Sequence, residues 1–83
     1  MAEQALKEVK EIIARITGLE VEEINDNDDL VADIGVDSLK VIELVTGIER
    51  KYKVRVKDSQ LANVKTVLDA AKILEDLGVY KVG

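Results

Sequence analysis

The chain has 83 residues, a net charge of −5, and neither cysteine nor histidine. It is short enough for one small domain with a modest core, and it lacks disulfides, thiolate nucleophiles and the commonest general base near neutral pH. No apolar run approaches the roughly 20 residues of a membrane span, and the charged N-terminus is not typical of a signal peptide. We expect one cytoplasmic, monomeric domain over residues 1–83, without a bound metal.

The charges are unevenly distributed along the chain. Residues 1–37 contain eleven acidic and three basic side chains, whereas residues 38–83 contain six acidic and nine basic ones. The local balance therefore changes from −8 to +3, and the change falls at Ser38.

The first predicted helix extends from about residue 3 to Thr17. Its apolar residues recur at spacings of three and four, which places them on one helical face. They are Leu6, Val9, Ile12, Ile13 and Ile16. Gly18 follows them and is a typical helix stop.

Residues 18–36 lack periodicity and predict a long loop. Its segment NDNDD, residues 25–29, combines turn formers with possible calcium ligands. An EF-hand loop requires glycine at its sixth position and glutamate at its twelfth. Starting from Asn25 or Asp26, neither position is met, so we interpret the segment as a turn. Scattered apolar residues are expected to pin the loop onto the helices: Leu19, Val21, Ile24, Leu30 and Ile34.

The second predicted helix begins at Asp37 or Ser38 and ends near Tyr52. Its expected buried face is a regular apolar stripe formed by Val41, Leu44, Val45, Ile48 and Tyr52. Leu39 projects nearly opposite that stripe, and Ile42 lies beside Leu39 on the side of Ser38. Two apolar side chains next to Ser38 are therefore left over once the core is formed.

Two further helices are predicted after an extended linker, VRV at residues 54–56. Asp58 is expected to cap a helix of one or two turns over residues 59–63. Thr66 and Asp69 resemble a capping box before the last helix, and Gly78 is a suitable stop. The apolar face of the last helix comprises Val67, Leu68, Ala71, Leu74 and Leu77. We predict an all-α fold, a four-helix bundle with a long loop between the first two helices and a short third helix.

Ser38 allows three interpretations. It can cap the second helix, although Asp37 can do so as well. As a catalytic nucleophile it would need a base, but the chain has no histidine and Lys40 points away along the helix. It can also accept a group attached by another enzyme, because a helix N-terminus favours an anion such as a phosphate diester.

Residues 33–44, DIGVDSLKVIEL, resemble the phosphopantetheine attachment region of acyl carrier proteins. That region typically has an acidic residue, Leu-Gly, a variable residue, Asp-Ser-Leu and a Val/Ile-Glu-Leu helix, and the resemblance covers nearly the whole chain. It implies that Ser38 bears a 4'-phosphopantetheine arm from coenzyme A, whose thiol carries acyl groups as thioesters. The chain would then be a carrier rather than an enzyme, serving fatty-acid, polyketide or lipid-modifying synthesis.

The resemblance also implies partners and an acyl pocket. The expected partners are a phosphopantetheinyl transferase and enzymes that transfer or modify acyl groups. Expected partner-recognition residues are Asp37, Leu39, Lys40, Ile42, Glu43, Thr46, Glu49 and Arg50. The acyl pocket of the family corresponds to Ile48, Val56, Leu61, Val64 and Ala70, which are equally consistent with plain core. Lys40, Thr46 and Arg50 differ from the residues usual in fatty-acid carriers, which favours a specialised carrier.

Two alternatives remain open from the sequence. The stretch RKYKVRVK, residues 50–57, has five basic side chains and no acidic one, so it is either a solvated helix end or a docking patch for an acidic partner. Nucleic acid is not expected, since the chain is acidic overall and only one aromatic residue lies there. The alternative function is an unmodified, carrier-like module for docking proteins.

Overall fold

Four α-helices are present in the computed structural model, which describes the backbone of residues 2–78 and the side chains of residues 4–78. Their bounds are Ala2–Thr17 for α1, Ser38–Tyr52 for α2, Asp58–Leu61 for α3 and Val67–Asp76 for α4. A single 3-10 turn, Val21–Glu23, interrupts the long loop between α1 and α2. The predicted all-α fold with a long first loop and a short third helix is confirmed.

The core forms where α1 packs against both α4 and α2. The apolar stripes predicted from helical spacing supply it, since burial of each large aliphatic side chain contributes roughly 1.5–3 kcal/mol. The buried residues of the three helices are Ala5, Val9, Ile12, Ile13, Leu44, Ile48, Val67, Ala70, Ala71, Ile73 and Leu74. Seven residues of the predicted apolar faces are half-buried rather than buried: Leu6, Ile16, Val41, Val45, Tyr52, Leu68 and Leu77. Ala5, Ala70 and Ile73 are buried, although the predicted helix faces did not include them.

The long loop is fastened to the entry of α4. The Leu30 N–H donates to the Lys65 carbonyl at 2.9 Å, and the Val67 N–H donates to the Asp28 carbonyl at 3.1 Å. Ile24 and Leu30 are buried, as predicted, and so is Val36, which the sequence analysis missed. These contacts therefore fix the position of the loop that leads into α2.

Segment 25–29 folds as the predicted turn. The Asn25 N–H donates to Asp28 Oδ2 at 2.9 Å. The N–H groups of Val31 and Ala32 donate to Asp29 Oδ1 at 2.9 and 2.8 Å. These two carboxylates are thus used to close the backbone of the loop.

The helix starts agree with the sequence except at α3. At α4, Thr66 and Asp69 form the predicted capping box, with the Asp69 N–H donating to Thr66 Oγ1 and the Thr66 N–H donating to Asp69 Oδ2, both at 3.1 Å. The prediction that Asp58 caps α3 is wrong, because the N-cap is Lys57 and Asp58 is the first helical residue. Gln60 Oε1 accepts from the Lys57 N–H at 2.9 Å instead, and this bond starts the helix one residue earlier.

The C-terminal end of α2 is tied to α1 through Glu8. Its Oε1 atom accepts hydrogen bonds from Lys51 Nζ and, at 2.8 Å, from the Tyr52 hydroxyl. These two bonds outweigh the effect of partial burial and hold the pKa of the Glu8 carboxyl below its usual value. Beyond this tie, Lys53 ends α2 in the left-handed region with φ of 55°.

Candidate attachment site at the start of α2

Ser38 is the first residue of α2, and its side chain is exposed. The N-cap is Asp37, whose Oδ1 atom accepts from the Lys40 N–H at 2.9 Å. The carbonyl of Asp37 accepts from the Val41 N–H at 3.0 Å. The capping interpretation of Ser38 is therefore wrong. Within residues 4–78, the Ser38 hydroxyl has no hydrogen-bond partner, so the fold leaves it available to solvent.

The loop before Ser38 is shaped by two local features. The Val36 N–H donates to the Leu30 carbonyl at 2.7 Å, which holds the buried Val36 side chain against the core. Gly35 adopts φ of 85°, a left-handed conformation that glycine reaches without the strain of a Cβ atom. Asp37 and Ser38 follow directly after these residues, and both are exposed.

Large apolar side chains are exposed on both sides of Ser38 in the sequence. Leu39 is 63% exposed and Ile42 is 56% exposed, as the helical spacing predicted. Val31, in the preceding loop, is 65% exposed and was missed. Exposed apolar residues next to a reactive group indicate a binding surface, because a partner protein can bury them on contact.

The expected partner-recognition residues divide into two groups. Leu39, Ile42, Glu43 and Arg50 are exposed along α2, with Thr46 half-buried in the same stripe. Asp37, Lys40 and Glu49 form the second group, because each makes a hydrogen bond within the chain.

Lys40 Nζ donates to the carbonyl of Ile16 at 3.3 Å and lies 3.6 Å from Glu43 Oε2. It thereby satisfies a carbonyl at the C-terminal end of α1. Glu49 Oε2 accepts from the Val56 N–H at 2.9 Å and holds the linker before α3 against α2. Both residues therefore have structural contacts that the sequence analysis did not foresee.

The five residues expected to form an acyl pocket differ in their burial. Ile48 and Ala70 are buried at 1% exposure within the core. Val56, Leu61 and Val64 are half-buried. Val56 borders a groove beside Glu49, whereas Val64 borders others. In this conformation Ile48 and Ala70 serve as core, and the pocket stays a prediction.

Comparison with known proteins assigns the family. Residues 7–74 match the family model described as the phosphopantetheine attachment site. The chain belongs to the acyl carrier protein family. Members of this family are non-catalytic carriers with a phosphopantetheine attachment site, so the resemblance seen in residues 33–44 is confirmed.

Individual relatives agree with this assignment. The chain is 41% identical over 73 residues to the acyl carrier protein of Exiguobacterium sibiricum, covering 88% of this chain and 92% of that protein. It is 35% identical over 75 residues to the meromycolate extension acyl carrier protein of Mycobacterium leprae, covering 90% of this chain and 65% of that protein.

Among solved structures, a Mycobacterium tuberculosis chain described as an acyl carrier protein superposes with a TM-score of 0.79 at 29% identity. The match covers 87% of this chain and 96% of that one. Within the described residues of this carrier, no helix has the length and apolar character needed to cross a membrane.

Proposed function

We propose that Ser38 is the residue of this carrier that bears the 4'-phosphopantetheine arm. The observation that carries the proposal is that the residue capping α2 is not the residue presenting a hydroxyl to solvent. Asp37 caps the helix, while the exposed Ser38 hydroxyl makes no hydrogen bond to any of the described residues. Ser38 also lies inside the matched range 7–74 and next to exposed Leu39 and Ile42.

The chemistry requires only that the chain present an alcohol. In the transfer from coenzyme A, the Ser38 oxygen forms a bond to phosphorus, the pyrophosphate linkage breaks, and 3',5'-adenosine diphosphate leaves. The base that takes the serine proton belongs to the transferase, since this chain has no histidine. The first N–H groups of α2 and its dipole suit the phosphodiester that results. The attached arm then supplies the thiol that holds an acyl group.

The partners that follow are a phosphopantetheinyl transferase and acyl-transferring or acyl-modifying enzymes, which would dock on the exposed face of α2 in the cytoplasm. A specialised acyl pathway is supported by two observations. Arg50 places an exposed positive charge on that face, and one of the relatives is a meromycolate extension carrier.

The test is the intact mass of the chain before and after incubation with coenzyme A, magnesium and a broad-specificity transferase. The chain has two serines, so Ser59→Ala is a matched control for Ser38→Ala. We expect one phosphopantetheine on the parent and on Ser59→Ala, and none on Ser38→Ala. Addition to a folded Ser38→Ala protein, verified by circular dichroism, would contradict the assignment. No addition to the parent with several transferases would favour the unmodified docking module.

A further inference from the structure

A groove lies between α1 and α2, on the flank of the exposed α2 face. Its apolar lining, called here the apolar floor, consists of Ile12, Ile16 and Gly47. Its charged lining consists of Arg15 and Arg50, one on each helix, together with Glu43 and Lys51. Gly47 is nine residues from Ser38, which corresponds to about 14 Å along the helix axis. A partner segment in the groove is therefore close enough to belong to an enzyme that also engages the arm.

The charges around the groove leave two arginines unpaired. Lys51 is paired with Glu8, and Lys40 lies 3.6 Å from Glu43. Over the residues whose side chains are described, neither Arg15 nor Arg50 has an ion-pair partner, and both are exposed. A protein of net charge −5 thus presents a local pair of free guanidinium groups across an apolar floor. Guanidinium groups bind carboxylates in bidentate geometry, and arginine is enriched at protein interfaces.

Gly47 keeps the floor of the groove open without being required by the fold. Its φ is not in the left-handed region. An added Cβ atom would meet Ile12 Cγ2 at 3.5 Å, which is ordinary van der Waals contact. Glycine in a helix interior costs about 1 kcal/mol relative to alanine. The backbone and the core therefore do not explain this glycine, whereas an open floor for a partner side chain does.

We propose that this groove docks an acidic segment of a partner acyl enzyme. An apolar side chain of that segment packs above Gly47, and its carboxylates pair with Arg15 and Arg50. This inference rests on the carrier function proposed above and names the charge of one partner surface. The groove and the exposed α2 face share Glu43 and Arg50, so one partner can occupy both.

The experiment uses the phosphopantetheine-loaded, nitrogen-15-labelled full chain and two capped peptides. One peptide has leucines at helical spacing flanked by glutamates, and its twin has glutamine at every glutamate position. We expect backbone amide shifts at residues 12–16 and 43–51 with the glutamate peptide. The dissociation constant should be at least about fivefold weaker for the glutamine twin, and the binding should weaken with salt.

Variants of the three arginines supply the matched control. The Arg15→Gln/Arg50→Gln double variant should weaken binding of the glutamate peptide at least about fivefold. Arg55→Gln, on the linker outside the groove, should change it by less than about twofold. Equal binding by the double variant and the parent would overturn the proposal, as would shifts centred on other residues.

Two further measurements test whether nucleic acid or a second copy of the chain occupies the groove instead. Equal affinity for a random-sequence DNA oligonucleotide at the same residues would make this a general anion site and overturn the acidic-peptide proposal. Self-association through residues 12–16 and 43–51 in the absence of peptide would assign the groove to a second copy. The intact mass of the parent tests the carrier function separately. If the chain accepts phosphopantetheine but does not bind the peptide, only the docking proposal for the groove is refuted.

Discussion

The two serines of this chain follow an aspartate at the start of a helix, yet the two sites differ. Asp37 is the N-cap of the 15-residue helix α2, and Ser38 is followed by two exposed apolar side chains. Asp58 is already the first residue of the four-residue helix α3, and Ser59 is followed by Gln60, whose side chain closes the helix start.

The proposal that Ser38 alone is modified implies that an Asp-Ser pair does not by itself define an attachment site. At Ser59 the adjacent polar groups are used locally, because Gln60 accepts from Lys57 and the Asn63 amide donates to the Ser59 carbonyl at 3.2 Å. At Ser38 the cap is complete without the serine, and the neighbouring side chains are apolar and exposed. Helix length, a separate cap and an apolar surround distinguish the proposed carrier serine.

The largest expected effect is on the rate of phosphopantetheine transfer, and it comes from the residue directly after Ser38. Leu39→Asp should lower kcat/KM for phosphopantetheine transfer by about tenfold or more, because an exposed apolar contact is replaced by a charge. Gln60→Asp, which introduces the same charge directly after Ser59, should leave the rate within about twofold. The measurement is the initial rate of mass addition with a purified transferase. Equal rates for the two variants would show that the transferase does not depend on the exposed apolar side chain of Leu39.

The second comparison concerns the two aspartates. Asp37→Ala should lower the free energy of unfolding by about 1 kcal/mol, because the Lys40 N–H loses its acceptor. Asp58→Ala should cost less than about 0.5 kcal/mol, because Asp58 is not the cap of α3. Urea unfolding followed by circular dichroism measures both. Asp37→Asn should recover most of the loss, and its failure to do so would show that charge matters more than capping.

The stability contributed by the C-terminal end of α2 should depend on pH through Glu8. The folded pKa of Glu8 is lowered, so its stabilisation is present above the unfolded pKa and is lost as pH falls through the folded value. Glu8→Gln should therefore cost about 1 kcal/mol at pH 7, and the difference from the parent should shrink below about pH 4. Urea midpoints across this range measure it, with Glu11→Gln as control. A difference that is constant with pH would contradict the role of the Glu8 charge.

The smallest expected effect concerns two glycines, Gly47 inside α2 and Gly35 in the loop before it. Gly47→Ala should raise the free energy of unfolding by about 0.5–1 kcal/mol, since the new methyl group finds ordinary contact in a helix interior. Gly35→Ala should lower it by about 1 kcal/mol, because φ at this position is 85°. Thermal unfolding of both variants checks the signs. Destabilisation by Gly47→Ala would mean that the core, and not the groove, requires this glycine.

Much of this architecture was predictable from local sequence. Helical spacing identified the faces of α1, α2 and α4, and it identified Leu39 and Ile42 as exposed. The same local information located Ser38 at a helix start. These features depend on residues within a few positions of one another, which is why a single sequence contains them.

Most of the features that were missed depend on contacts outside the helical repeat that predicted the helix faces. Val36 is buried because its N–H reaches back to Leu30, and Lys40 is fixed by a carbonyl 24 residues earlier. Glu49 is held by the linker that follows α2. Helical periodicity does not encode these contacts. The error at the α3 start is a local exception, because Gln60 accepts from the Lys57 N–H only three residues away.

The most direct test of the central claim needs only the unaltered chain. Trypsin separates the two serines, since cleavage after Arg15 and Lys40 yields peptide 16–40 with Ser38, and cleavage after Lys57 and Lys65 yields peptide 58–65 with Ser59. Digestion of the loaded chain followed by fragment mass analysis should place the phosphopantetheine on Ser38 alone. Its presence on Ser59 would contradict the account, because it would show that a short Asp-Ser helix start without an apolar surround suffices.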